Sequence, residues 1–409
     1  MVPKGWKDGR VEDLLNGLES GVSVNGEDRQ LLDGEKGVLR VSAVTYGTFD
    51  PSAVKVIERQ DELDRAKINP KKSQIIISRS NTESLVGASA YINFDYPELF
   101  LPDKLWQTIP KPDANMKWLS YVLSSEPVRY TLSNLATGTS GSMKNITKGE
   151  FLSLKIAIPP LPEQKKIAKI LSTWDKAIST TERLIDNSTQ QKKALMQQLL
   201  TGKKRLLDES GKRFEGEWEE VKLSEIAQIT MGSSPKSDAY NDMGDGLPLL
   251  QGNADIKNRK SAPRIYTSQI TKECHVDDIL FSVRAPVGTV ALSNHNACIG
   301  RGIAAIKAKK NHSQDYLYQW LLSFELKWER YSQGSTFEAV NSDDIKSLNL
   351  SIPNYKEQQK IATVLTNADK EIELLEQQLA DLQQEKKALT QQLLTGKKRV
   401  VIDGAVAGS

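Results

Sequence analysis

Four side chains with metal-ligand chemistry lie close together in the second half of the chain: Cys274, His275, His295 and Cys298. Thiolate sulfur and imidazole nitrogen are the usual zinc ligands, but structural zinc sites draw on spaced pairs. Adjacent residues in a strand, such as Cys274 and His275, face opposite ways. The set therefore reads as structural, and no metal is expected. The chain has 3 histidines in all, which is thin for acid–base catalysis. There is no phosphate-binding P-loop and no G-x-G-x-x-G. The acidic residues are scattered, and no carboxylate pair stands out. These residue types point to recognition and scaffolding.

The elements that would carry such a scaffold are repeated. "QKKALMQQLLTGKKRL" (Gln191 to Leu206) returns almost unchanged as "EKKALTQQLLTGKKRV" (Glu385 to Val400). At the same offset, "EQKKIAKILSTWDKAI" (Glu163 to Ile178) returns as "EQQKIATVLTNADKEI" (Glu357 to Ile372). A fixed-offset repeat of this length means duplication, and it comes before any fold assignment. Apolar residues in these segments recur at 3–4 spacing: Ile167, Leu171, Trp174, Ile178, Ile185, Leu195 and Leu199, then Ile361, Leu365, Ile372, Leu375, Leu379, Leu382, Leu389 and Leu393. The spacing predicts two long helices with an a/d seam of about five heptads. Pro159-Pro160-Leu161-Pro162 opens the first and Pro353 the second, while Gly202 and Gly396 stand where C-caps belong. Helices of about 57 Å outrun a compact domain, so the two are expected to pair with each other as a spacer. The first seam carries Thr181, Ser188 and Lys192 at core positions, and a polar seam residue can fix register and partner.

The segments before the helices are more loosely related. "NPKKSQIIISRSNTESLVGASAYI" (Asn69 to Ile92) and "VDDILFSVRAPVGTVAL" (Val276 to Leu292) both read as a strand, a Ser and an Arg, a loop, Val-Gly, then a second strand. Arg79 and Arg284 are taken as equivalent. An aromatic-rich helix follows in each half (Trp118 to Leu123, Tyr316 to Leu322). Next come a Gly/Ser/Thr loop (Thr137 to Lys144, Gln333 to Thr336) and a strand ending in Ile-Pro at Pro159 or Pro353. The order is variable domain, constant helix, variable domain, constant helix: residues 1–159, 160–206, 207–353 and 354–400, then a tail at 401–409.

Bulk properties narrow the class. The 409 residues allow several domains, and 26% charged with 38% hydrophobic residues is ordinary for a soluble protein. Runs such as Ile75-Ile76-Ile77 are too short to span a bilayer, and the N-terminus lacks an apolar signal segment. Two cysteines suit a reducing cytosol, so a cytoplasmic location is expected. A net charge of +3 neither supports nor excludes nucleic acid.

The architecture closely resembles the specificity (S) subunit of Type I restriction–modification enzymes. The resemblance spans essentially the whole chain. It rests on the two "EQ-x-K-I-A-x-x-L" helix starts (from Glu163 and Glu357), the two "QQLLTGKKR" ends (Gln197 to Arg205, Gln391 to Arg399), the "DDILFS-x-R" strand and loop (Asp277 to Arg284) and Gly334 to Thr336. In the first half "KKSQIIISRS" replaces the acidic lead-in to the strand. The resemblance implies an α+β fold: two mixed α/β target recognition domains with curved sheets, joined by two antiparallel coiled-coil helices with internal pseudo-twofold symmetry. It implies that each domain reads one half of a bipartite double-stranded DNA target and that the helices set the gap. Two modification subunits, which carry S-adenosylmethionine and methylate adenine, would dock on the helices, and restriction subunits would complete the enzyme. This chain would hold no cofactor and catalyse nothing itself. Two equal strings would offer two equal docking surfaces.

Reading DNA requires Arg, Lys, Asn, Gln and Ser at base edges, with other cations on phosphates. The candidates are Arg40, Lys71, Lys72, Arg79, Asn81 and Lys144 in the first domain. In the second they are Gln251, Asn253, Lys257, Arg259, Lys260, Arg264, Arg284 and Arg301, with "DIKNRKSAPR" (Asp255 to Arg264) the most basic loop. Lys203-Lys204-Arg205 and Lys397-Lys398-Arg399 either offset the helix macrodipole or contact phosphate or a partner. A non-catalytic coiled-coil adaptor whose globular ends bind proteins is the alternative. A stand-alone DNA methyltransferase would need an Asn/Asp-Pro-Pro-aromatic motif, and Ile158-Pro159-Pro160-Leu161 does not match it.

Overall fold

The computed structural model describes residues 2–138, 143–333 and 340–402. The Gly/Ser/Thr loops are only partly covered: Ser140 to Ser142 with Thr139, and Gly334 to Thr336, lie outside the described residues, as does most of the 401–409 tail. Contacts divide the chain into two compact units, Met1–Thr180 with Leu379–Ser409, and Thr181–Gln378. The unit boundaries run through the middle of both long helices.

In the first unit a four-stranded sheet is ordered Leu15–Ser20, Leu105–Pro110, Ile75–Ser78, Ser89–Tyr91, and all its pairs are antiparallel. Ile75, Ile76 and Ile77 are fully buried. Alternation sends Ile75 and Ile77 to one side and Ile76 to the other. The first face packs on Trp118, Leu119 and Phe151, the second on Leu39, Ile92 and Leu99. A strand buried on both faces reads as a continuous apolar run. A three-stranded sheet, Val54–Val56, Gly37–Leu39, Leu99–Phe100, covers the second face. The helix Met116–Leu123 is capped by Asn115, whose side chain accepts the Trp118 N–H.

The second unit repeats this plan. Strands Ala227–Met231, Ile303–Ala308, Ile279–Ser282 and Val290–Leu292 follow the same order and directions. Leu247–Leu250 pairs antiparallel with Ile265–Thr267 and parallel with Ala297–Ile299, as Gly37–Leu39 does with Val54–Val56 and Leu99–Phe100. A longer helix, Gln314–Gln333, replaces Met116–Leu123. Each half closes with an antiparallel pair of its first and last strands, Lys7–Arg10 with Lys155–Ile158 and Glu219–Lys222 with Asn349–Ile352. Both closing strands are preceded by a short helix with a capping box, on Thr147 and on Asn341.

The two long helices are Leu161–Leu199 and Tyr355–Leu394. Gly202 (φ 69°) and Gly396 (φ 66°) end them in the left-handed region. Their seams serve two purposes. Ile167, Ala168 and Leu171 are buried in the first unit's core beside Leu393 of the second helix, and Ile361, Ala362 and Leu365 sit in the other core beside Leu199 and Leu200. Between these ends Trp174, Ile178, Ile185, Ile372, Leu375, Leu379 and Leu382 are half-buried, as a two-helix seam should be. The helices thus pair with each other and pack on the domains. Among the described residues no helix is long and apolar enough to cross a membrane.

The shared plan imposes one shared steric demand. Gly21 and Gly232 follow corresponding strands, and each donates its N–H to the first residue of the neighbouring strand, Leu105 or Ile303. A Cβ at Gly232 would lie 2.2 Å from the Gly300 carbonyl oxygen and 2.6 Å from that of Ile303. Gly232→Ala should therefore destabilise the second unit by about 1–3 kcal/mol, read as a lower urea midpoint. Gly149→Ala, in the helix Lys148–Leu152 with open space around its Cβ, should leave the midpoint unchanged or raise it.

Candidate nucleic-acid interface

One edge of each unit gathers the ends of several strands. In the second unit Gln251 follows Leu247–Leu250, and its N–H donates to Asp255 Oδ2 at 2.8 Å. Asp255, buried, accepts Arg264 Nε on its other oxygen at 2.8 Å. The loop Gly300-Arg301-Gly302 folds against Gln251, and a Cβ on Gly302 would stand 2.1 Å from the Gln251 carbonyl oxygen. Arg301 N–H donates to Ser234 Oγ at 3.2 Å, and Val283 N–H to the Gly302 carbonyl at 3.0 Å. Arg284, next along the chain, is exposed, as is Arg301. Gln251, Arg264, Arg284 and Arg301 are thus brought together, with Asn253 beside them in the short helix Asn253–Asp255. Arg284 and Arg301 have no acidic partner among the described residues.

Lys257, Arg259 and Lys260 are elsewhere. They sit on a hairpin, Ile256–Lys257 with Lys260–Ser261, whose turn residues Asn258 and Arg259 both have positive φ, the geometry of a two-residue primed turn. Lys260 pairs with Leu292, which is opposite Ile279, whereas Arg284 lies beyond the other end of that strand. Arg259 donates to the Val290 carbonyl at 3.1 Å and to Glu325 Oε1 at 2.5 Å. Lys260 Nζ is 3.7 Å from Glu373 on the second long helix.

In the first unit the corresponding edge carries acids with its cations. Arg40 occupies the position of Gln251. It donates to the Val54 carbonyl at 3.0 Å and pairs with Asp28, and the hydrogen bond from Arg40 holds the Asp28 carboxyl below its ordinary range. Arg79 donates to the Asp103 carbonyl at 2.9 Å and lies 3.6 Å from its carboxylate. Asn81 accepts the Thr82 N–H at 2.8 Å and faces Lys144 across a two-residue strand pair. Lys71 and Lys72 are exposed but precede the Ile75–Ser78 strand, which separates them from Arg79 by about 13 Å of extended chain.

The register corrects one sequence inference. Arg79 and Val283 each donate an N–H to the residue before the neighbouring strand (Lys104, Gly302), and each accepts from the returning chain (Ile146, Val340). Arg79 therefore matches Val283, and Arg284 matches Ser80. The two Ser/Arg signatures differ in length by one residue, which in an extended chain turns the side chain to the other face.

The Cys/His set is dispersed. Cys298 Sγ contacts Thr271 Oγ1 at 3.5 Å, Cys274 Sγ contacts Ser293 Oγ at 3.5 Å, His295 Nδ1 meets Ser261 Oγ at 2.7 Å, and His275 Nδ1 lies 3.7 Å from Asp278. Burial pushes the Cys274 thiol up. Among the described residues no three His, Cys, Asp or Glu side chains converge as metal ligands would.

The structure also explains the constant strings, which sequence reasoning left between two roles. Glu163 is 1% and Glu357 0% exposed. Arg399 grips Glu163 with Nε at 2.7 Å and Nη2 at 2.8 Å, and Trp6 Nε1 adds a third bond at 2.9 Å. Arg205 grips Glu357 with two bonds of 2.6 Å. These arginines therefore grip buried carboxylates bidentately, while Lys203, Lys204, Lys397 and Lys398 are exposed. The neighbouring glutamines fasten each domain helix: Gln164 Oε1 accepts the Asn115 N–H at 2.9 Å, and Gln358 Oε1 that of Ser313 at 3.0 Å. The repeated "EQ" and "KKR" were the signal for these contacts.

Two copies of one α/β plan, each with polar side chains at a strand-end edge and each latched to the same long-helix sequence, define a duplicated recognition scaffold. The comparisons identify which one. The family model described as Type I restriction modification DNA specificity domain matches twice, over residues 3–187 and 215–384, and the chain belongs to that family. It is 32% identical over 410 residues to a Methanocaldococcus jannaschii protein provisionally named as the specificity subunit of a type I restriction enzyme, MjaX, covering 98% of this chain and 95% of that one. It is 26% identical to the MjaVIII specificity subunit of the same organism, covering 98% and 94%. The solved Type I restriction–modification S subunit of M. genitalium shares the fold, with a TM-score of 0.63 at 16% identity over 95% of this chain and 96% of that one.

The latch generates a stability prediction. Arg205→Met leaves the Glu357 carboxylate buried without its cation and should cost about 3–5 kcal/mol. Adding Glu357→Met should recover most of that loss, because two apolar side chains then fill the site. Urea unfolding of both variants checks this.

Proposed function

We propose that this chain is the DNA sequence-specificity subunit of a Type I restriction–modification complex. Each recognition domain reads one half of a bipartite double-stranded target. The paired long helices set the gap between the halves and dock two methyltransferase subunits. S-adenosylmethionine binding and adenine methylation belong to those partners, restriction subunits complete the enzyme, and this chain is non-catalytic and cytoplasmic. The observation that carries the reading is that one edge plan occurs twice with different side chains while the latch residues are the same in both. Arg40 stands where Gln251 does, and Asp103 where Arg301 does, yet Glu163–Arg399 and Glu357–Arg205 are identical pairs. Surfaces that differ suit two different half-sequences, and latches that agree suit two copies of one partner.

The deciding experiment is a domain exchange. With residues 1–159 replaced by the matching domain of a relative and the methyltransferase partner present, modification sequencing should show one half of the methylated motif changed and the other intact. A simultaneous change in both halves would overturn the reading.

The two edges should also differ electrostatically. Arg284 and Arg301 are exposed and have no acidic partner among the described residues, so Arg284→Ala and Arg301→Ala should each weaken DNA binding by the assembled complex. Each should also flatten the slope of log affinity against log salt by up to about one unit. Arg79→Ala should flatten it less, because Asp103 already offsets that charge. Titration of a labelled duplex at several salt concentrations measures all three.

A further inference from the structure

The seam between the long helices holds the same polar contact twice. In the first unit Asp175, on the first long helix, accepts Lys386 Nζ from the second long helix at 2.5 Å. Its other carboxylate oxygen accepts the Tyr121 hydroxyl from the domain helix Met116–Leu123, and that hydroxyl also meets Ser172 Oγ at 3.2 Å. In the second unit Asp369, on the second long helix, pairs with Lys192 of the first and accepts Gln319 Nε2 from the domain helix Gln314–Gln333 at 2.7 Å. Asp175 and Asp369 hold corresponding places in the repeat, as do Lys386 and Lys192, and Tyr121 and Gln319. Lys192 and Lys386 are only 14% and 28% exposed along their side chains, so each ammonium is drawn into the seam and does not lie free on the surface.

We propose that Asp175 and Asp369 are positioning residues that fix both the register of the helix pair and the seating of each recognition domain on it, and so determine the gap between the two half-sites. This rests on the specificity-subunit reading. The physical case begins with the seam's remaining residues. Apart from Thr181 and Ser188 these are apolar: Trp174, Ile178, Ile185, Ile372, Leu375, Leu379 and Leu382, and apolar positions accept a slipped register at small cost because one large aliphatic knob replaces another. A lysine and an aspartate cannot slip in the same way. One turn of displacement, about 5.4 Å, would part each half-buried lysine from its aspartate and break the hydrogen bonds that the carboxylate shares with the domain helix. Single polar seam residues are the best-attested device for fixing register. Here each carboxylate has a second task, since its other hydrogen bond belongs to the domain. Sliding the helices by one turn would therefore move the domains by roughly one or two base-pair steps of about 3.4 Å.

The test uses the full chain in complex with its methyltransferase partner and a series of duplexes whose gap runs from two base pairs shorter to two longer than the native one. The readout is the ratio of methylation rates on native and altered gaps, with circular dichroism melting recorded for every variant. Lys192→Asp, which places two carboxylates face to face, should lower that ratio at least tenfold. Lys192→Asp combined with Asp369→Lys should restore it, because the pair is rebuilt with its charges exchanged and Gln319 can present its amide oxygen to the relocated ammonium. Lys192→Met with Lys386→Met, which keeps side-chain length in the seam, should relax the ratio without a lower melting point. An unchanged ratio in Lys192→Asp, or a defect that the charge exchange does not restore, would overturn the proposal. Failure of the unaltered chain to confer any two-part motif would instead defeat the specificity-subunit reading and leave the register question to the helix pair alone.

Discussion

A carboxylate that is almost wholly out of water must have a cation against it, and two such carboxylates organise this chain. Leaving Glu163 or Glu357 unpaired at 0–1% exposure would cost several kcal/mol. The planar fork of arginine is the group that satisfies both oxygens at once. In each unit that arginine comes from just beyond the far end of the opposite long helix. The requirement therefore brings the start of one helix to the end of the other, which makes the pair antiparallel. The same arginine lies over an indole, Arg399 at 5.8 Å from the Trp6 ring centre and Arg205 at 5.9 Å from that of Trp218. Trp6 and Trp218 immediately precede the first strand of each domain, and those strands pair with the last ones. One buried carboxylate thus ties together the entrance of a domain, its exit and both long helices. The adjoining Gln164 or Gln358 extends the same anchor to the domain helix.

With the framework held there, the strand-end edges of the two units carry different side chains on one backbone plan. Backbone equivalence puts Arg40 opposite Gln251, Arg79 opposite Val283 and Asp103 opposite Arg301. At the first edge Arg40 and Arg79 each face an acid, Asp28 and Asp103, whereas the second exposes Arg284 and Arg301 and buries Asp255 beneath Gln251 and Arg264. Exposed side chains at such an edge, Arg284 and Arg301 among them, touch little of the core, so they can be exchanged with small effect on folding. The close-approach glycines and the two-faced central strands cannot vary in this way, because backbone oxygens or packed side chains lie on every side of them.

The basic loop of the second domain shows why charge density along a sequence is a poor guide to a surface. Lys257, Arg259 and Lys260 are close in sequence to Arg264, yet the hairpin carries them to the opposite end of the sheet. There Arg259 and Lys260 meet Glu325 and Glu373. Arg301, far away in sequence, is the residue that joins Gln251. Proximity here follows strand direction: each strand delivers its ends to opposite edges of the sheet, and neighbours in sequence part company at every turn.

The sequence by itself determined what depends on local periodicity and on exact repetition. The long helices run over Leu161–Leu199 and Tyr355–Leu394 because unbroken 3–4 spacing between Pro and Gly punctuation leaves a chain little alternative. The duplication, the Ile-Pro strands at Lys155–Ile158 and Asn349–Ile352, and the domain helices around Trp118 and Tyr316 were legible for similar reasons. Only the tertiary structure decided the pairings between distant polar groups: Glu163 with Arg399, Glu357 with Arg205, Asp175 with Lys386, Asp369 with Lys192. Each joins residues more than a hundred positions apart, and a charged residue carries no local mark of the partner that will satisfy it. The common topology of the two domains was likewise visible only in strand register. A sheet constrains its residues by which face they occupy and by which backbone groups bond, and many different side chains meet those conditions equally well. That is why "SRS" and "SVR" looked alike in sequence while standing one residue out of step in the fold.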